Sequence, residues 1–120
     1  MPPNVQPASF TIDHSEIASG AAVITLSGDL KIGADCDRVP TLVDDLLRAG
    51  KRVIIFDIAG VNRLDSTGIG CFIASYNKIM ALRGDMRLAG TRTYLFRVFQ
   101  VSSLDKVFQF YPTLEDAVAR

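Results

Sequence analysis

Val53-Ile54-Ile55-Phe56 is an unbroken apolar run set between Lys51-Arg52 and Asp57. A run this short and this rich in β-branched residues is a strand, and successive strand side chains point to opposite faces. Both faces must therefore be covered, which is the situation of a parallel strand flanked by helices. After a short loop, Asp65-Ser66-Thr67-Gly68 opens a helix. Ile69, Phe72, Ile73, Tyr76 and Met80 lie on one face of it, and Gly84 is its stop.

The remaining segments repeat this alternation. Phe10 to Glu16 and Ala21 to Ser27 read as two strands turned at Ser19-Gly20. GDLKIGAD (28–35) reads as a loop with Asp35 as N-cap. Val39, Leu42, Val43, Leu46 and Leu47 then fall at helical spacing up to Gly50, with Pro40 in the first turn, where a missing N–H costs least. Asp85 to Ala89 is a short strand, and Leu95, Val98 and Phe99 mark a third helix. Lys106 to Phe110 is a further strand, and Leu114 to Val118 a terminal helix begun by Thr113, with Asp116 at the capping-box position. The order β-β-α-β-α-β-α-β-α implies an α/β domain: a mostly parallel mixed sheet covered by about four α-helices. The first nine residues hold three prolines and neither a charge nor an apolar run, so they read as a flexible lead-in (1–9) before one domain over 10–120.

Composition removes several functions. Apolar residues make up 48% of 120, enough for a core without disulfide staples. Thirteen Lys and Arg balance thirteen Asp and Glu, with no basic stripe, which argues against direct nucleic-acid binding. No apolar stretch is long enough for membrane insertion, and a cytoplasmic setting is expected. Two cysteines are too few for a disulfide framework or a zinc site. Cys71 falls on an apolar helical face as a small buried hydrophobe, whereas Cys36 stands in a polar segment that can expose it.

Enzymatic readings fail for want of partners. The one histidine, His14, lies in or beside the first strand as a surface side chain, and Ser66 has no G-x-S-x-G elbow, so no general base is in prospect. Neither G-x-x-x-x-G-K-[ST] nor G-x-G-x-x-G occurs, and Gly68-Ile69-Gly70 is better explained by close packing of the helix on the sheet. Asp57 ends a buried strand, but no adjacent acid pair follows the earlier strands to hold magnesium. It is expected instead to accept a hydrogen bond from the following loop. No catalytic residue, metal site or cofactor is expected.

Asp65-Ser66-Thr67-Gly68 therefore carries the functional reading. Taken alone, it is a helix cap: Asp65 or Ser66 caps, Thr67 supports the first turn, and Gly68 permits close approach. Its surroundings add more. GDL (28–30), FDIAGVNRLDSTGIG (56–70), RGDMRLAG (83–90) and VSSLDKVFQFYPTLEDAV (101–118) stand at the spacing of the STAS domain family. From about residue 10 to the C-terminus the chain resembles that family, and particularly the bacterial anti-sigma factor antagonists. The resemblance implies a STAS domain over 10–120 that is not itself an enzyme, with Ser66 as phosphoacceptor. Its unphosphorylated form would bind an anti-sigma factor that is also a serine kinase and so release a sigma factor, and a serine phosphatase would reset it. Asp29, Lys31, Asp65, Ser66, Thr67 and Gly68 are the implied partner-binding residues. Lys31 departs from the pattern, since the family has an acid there. Ser103 stands where the family often has glycine, at a helix end. The competing reading is a STAS docking subunit of a transporter or larger signalling complex, without phosphate turnover.

Overall fold

The structure, a computed structural model, describes residues 10–32 and 34–119; the lead-in read over 1–9 lies outside them. Its elements run β1 (Thr11–Glu16), β2 (Ala22–Leu30), α1 (Arg38–Arg48), β3 (Val53–Leu64), α2 (Ser66–Ala81), β4 (Asp85–Ala89), α3 (Thr93–Val101), β5 (Gln109–Tyr111) and α4 (Leu114–Val118). The five strands form one sheet in the order β1-β2-β3-β4-β5, antiparallel between β1 and β2 and parallel elsewhere. This is the mixed, mostly parallel sheet with four α-helices expected from the alternation.

Alternation along the strands divides the core. Ile24 and Leu26 of β2, Ile54 and Phe56 of β3, and Met86 and Leu88 of β4 face α1, α2 and α3. There Phe72 stands between Phe56 and Phe99, edge to face, with centroids 5.4 and 5.8 Å away. The intervening residues Val23, Ile55 and Ala89 face the other way and are covered around Ala117 of α4. The apolar run that opened the sequence reading is thus covered on both sides, as its composition requires.

Three boundaries differ from expectation. β2 continues through Gly28-Asp29-Leu30, and β3 continues from Asp57 to Leu64, where loops were expected. These distal halves pair with each other beyond the end of β4, through register shifts between Thr25 and Ser27 and between Gly28 and Asp29. Gly28 takes φ +88° there, a conformation natural to glycine at a bulge. Bulges break the period-2 pattern, and a two-stranded extension need not be apolar on both faces, so the strand signal fades while the strand persists. The third difference is near the C-terminus. Leu104–Lys106 is a 3₁₀ turn, and the last strand is the short Gln109–Tyr111 rather than 106–110.

Asp35 does not cap α1. Turns with Arg38 N–H on the Asp35 carbonyl (3.2 Å) and Val39 N–H on the Cys36 carbonyl (3.0 Å) lead into the helix. Asp37 precedes its first residue and makes no side-chain cap. By contrast α4 starts as read, with Thr113 Oγ1 accepting the Asp116 N–H at 3.1 Å. Asp57 also acts as expected in part: its Oδ1 accepts the Ala59 N–H at 3.2 Å, though within a strand rather than a loop.

Candidate functional site

The β2–β3 extension lifts the start of α2 beyond the main sheet. Asp65 fastens it there. Oδ1 accepts the N–H groups of Thr67 (2.9 Å) and Gly68 (3.1 Å), which satisfies two of the donors that a helix start leaves open. Oδ2 accepts the N–H of Ile32 (2.8 Å), just past the end of β2. Asp65's own N–H donates to the Leu30 carbonyl at 3.2 Å. One side chain thus caps α2 and ties it to the neighbouring strand. Partial burial pushes the Asp65 carboxyl up, but the Ile32, Gly68 and Thr67 N–H groups outweigh that and hold it below the ordinary value.

Asp65, not Ser66, is the N-cap, and Ser66 is the first helical residue. Ser66 and Thr67 are both exposed, and among the described residues the Ser66 hydroxyl makes no hydrogen bond. Thr67 contributes its backbone N–H to the cap, in keeping with a supporting role. Gly68 is buried at the closest approach of α2 to β2. A Cβ there would meet the Leu30 carbonyl oxygen at 2.4 Å and Leu64 Cδ1 at 2.5 Å. The packing explanation stops at Gly68, however. Gly70 is exposed, and a Cβ on it would meet nothing within 4 Å.

Asp29 lies inside β2 rather than in a loop. It is 6% exposed, paired in register with Arg63, and its Oδ1 has no hydrogen-bond partner. Lys31 follows the end of β2 and lines a cleft of about 380 Å³ between the end of β3 and α3. Leu64, Leu95 and Val98 supply the apolar lining, with Tyr94, Arg63 and Asp65 around them. The Tyr94 hydroxyl donates to the Asn62 carbonyl and so pins the start of α3 against β3. Tyr94 and Ile32 were not singled out in the sequence. Ile32 is 78% exposed although its N–H is bound to Asp65, and only the fold brings either residue to this place.

Cys36 is 1% exposed, which corrects the expectation that its polar segment could expose it. It reaches the core because the turns before α1 direct it inward. Its Sγ lies 3.8 Å from the Lys31 carbonyl. Cys71 is partly buried against the same core. Burial, with Cys36 alongside, pushes the Cys71 thiol up to about 12, and burial raises Cys36 as well. Both are thiols rather than thiolates near neutrality, which makes them poor nucleophiles. His14 lies in β1 and is exposed, remote in sequence from Ser66. Among the described residues, no helix is long and apolar enough to cross a membrane.

Comparison with known proteins bears on the family and the fold. The anti-sigma-B factor antagonist of Listeria monocytogenes is 28% identical over 57 residues, 48% of this chain and 50% of that protein. The chain thus aligns with about half the length of the curated relatives it matches. An anti-sigma factor antagonist from Mycobacterium paratuberculosis shares the fold with a TM-score of 0.82 at 24% identity, over 95% of each chain. The Bacillus cell fate determinant SpoIIAA, in its phosphorylated form, does so with a TM-score of 0.72 at 22% identity, over 92% of this chain and 98% of that one. The STAS domain profile matches residues 14–117, nearly all of the described sheet and helices, and the chain belongs to the STAS domain family.

Proposed function

We propose that this protein is an anti-sigma factor antagonist switched by phosphorylation of Ser66. Unphosphorylated, it binds an anti-sigma factor that is also a serine kinase, and a sigma factor is released. Phosphate on Ser66 ends the complex, and a serine phosphatase restores it. The protein itself is not an enzyme and works in the cytoplasm. The observation that carries this reading is an exposed Ser66 on the first turn of α2, directly after a cap residue already engaged by three backbone N–H groups.

The chemistry of the switch follows from its place. Phosphate adds about −1.5 to −2 charges near neutrality, next to the Asp65 carboxylate. The N-terminus of α2 favours negative charge, so the helix has no cause to unwind. What changes is the surface a partner meets: Lys31, Asp65, Ser66, Thr67 and the close-packed turn at Gly68. Asp29, buried in β2, belongs beneath that surface. Losing about 3 kcal/mol of interface energy weakens a complex more than a hundredfold. Membership of the STAS family and the naming of the Listeria relative support the reading.

A second reading, a docking subunit of a transporter or larger signalling complex, is favoured by one feature: Lys31, a cation where the resemblance implies an acid. One experiment separates the two. Phosphosite mass spectrometry is applied to protein from its native cells, and a Ser66→Ala variant is used to capture partners. Phosphate on Ser66 with a kinase-like ATPase held by the alanine form is the expected outcome. No phosphate under any growth condition, with a transport complex captured instead, rejects the switch.

A further inference from the structure

The cleft beside Ser66 has a charge pattern that its neighbours do not use. Lys31 and Arg63 line it, and among the described residues neither enters an ion pair. The Asp65 carboxylate also lines the cleft, but it forms no ion pair with either cation. Asp65 is engaged by the Ile32, Thr67 and Gly68 N–H groups, and Asp29 is shut off from solvent. Leu64, Leu95 and Val98 line the same cleft and give it apolar surface.

We infer that this cleft receives an acidic segment of a protein partner: an apolar side chain seated on Leu64, Leu95 and Val98, with a flanking carboxylate held by Lys31 and Arg63. The inference rests on the proposed function only in taking this face as the docking face. Three features fit a protein segment better than a small ligand. Small-ligand sites place a few unsatisfied polar groups deep among apolar walls. Here the Tyr94 hydroxyl and the Asp65 carboxylate are already bonded within the chain, and the free charges belong to long side chains, as at the polar rim of a protein interface. Ile32, one residue from Lys31, holds a large apolar side chain 78% exposed, available to a protein partner.

The same pattern couples the cleft to Ser66. A phosphate one residue from Asp65 would draw Lys31 and Arg63 to itself. The partner's carboxylate would then meet a competing anion in place of two free cations. Lys31 thus becomes a specificity residue. It selects a partner with an acid at this point and rejects one with a base.

The test needs neither kinase nor phosphate, so its outcome is separate from that of the phosphosite experiment. The unphosphorylated full chain, labelled with nitrogen-15, is titrated with a short blocked helical peptide presenting leucine and glutamate on one face. A lysine-for-glutamate counterpart is the control. Saturable shifts at Lys31, Arg63, Tyr94 and Val98 with the acidic peptide alone are expected. A K31E/R63E variant should weaken them at least about tenfold. Shifts of equal size with the lysine peptide, shifts confined to another face, or an unchanged affinity in K31E/R63E would overturn the inference. Should K31E/R63E not keep the parent spectrum, K31Q/R63Q provides the same comparison without charge reversal.

Discussion

Gly68 and Gly70 are two residues apart on one helix and face opposite demands. At Gly68 an added methyl would collide with the Leu30 carbonyl, so Gly68→Ala should destabilise by about 1–3 kcal/mol. At Gly70 the methyl enters open space, and Gly70→Ala should stabilise by about 0.8–1 kcal/mol through helix propensity alone. Urea denaturation of both variants checks the pair, and equal signs would contradict this packing. Asp65 gives a pH-dependent counterpart. Its folded pKa is depressed, so its contribution is complete above the unfolded carboxylate value and is lost as pH falls through the folded one. Asp65→Asn keeps an acceptor for the cap but loses the charge and one of the two oxygens. It should cost about 1 kcal/mol near neutrality, a gap that closes as wild type is acidified. Stability curves at several pH values measure the closure. The cap itself was legible in the sequence because it spans three residues. The bond to Ile32 spans 33 and was not.

At the scale of elements, α4 illustrates how a five-residue helix is kept in place. It is too short to be stable alone. Arg87 on β4 donates from Nη1 to the Ala117 carbonyl at 2.7 Å, which satisfies a carbonyl near the helix end. Its Nε and Nη2 grip Asp85 Oδ2 at 3.0 and 2.9 Å. Arg87→Ala should therefore cost about 2 kcal/mol, from a lost charged hydrogen bond and an abandoned carbonyl. Amide exchange should accelerate first over Ala117 to Ala119. A uniform acceleration over the whole sheet would show that α4 is not separately held. Thr113 announced the start of this helix in the sequence, but nothing announced Arg87, a cation inside a strand. Ser103, placed at a helix end by resemblance, takes φ +61° just after α3, the conformation in which glycine costs least. There the departure from the family pattern has a backbone meaning.

At the scale of the molecule, the face around Ser66 is held by contacts that do not involve the Ser66 hydroxyl. Phosphorylation should leave the sheet and the far end of α2 undisturbed. In nitrogen-15 spectra of the two forms, shifts should concentrate at Leu30 to Ile32 and Arg63 to Ile69. Broad changes through β4 or α4 would mean a rearranged backbone and would reject a surface switch.

Sequence alone determined the alternation of strands and helices, the apolar run at the centre of the sheet, the cap at Thr113, and a cap at Asp65 or Ser66. Each rests on side-chain period or on bonds within about four residues, and such interactions are written into neighbouring positions. Tertiary structure decided the rest: the continuation of β2 and β3 past their bulges, the inward turn of Cys36, the burial of Asp29, and the meeting of Lys31, Arg63 and Tyr94 around one cleft. Those depend on segments tens of residues apart being brought to one end of a sheet, where pairing and packing override the local pattern.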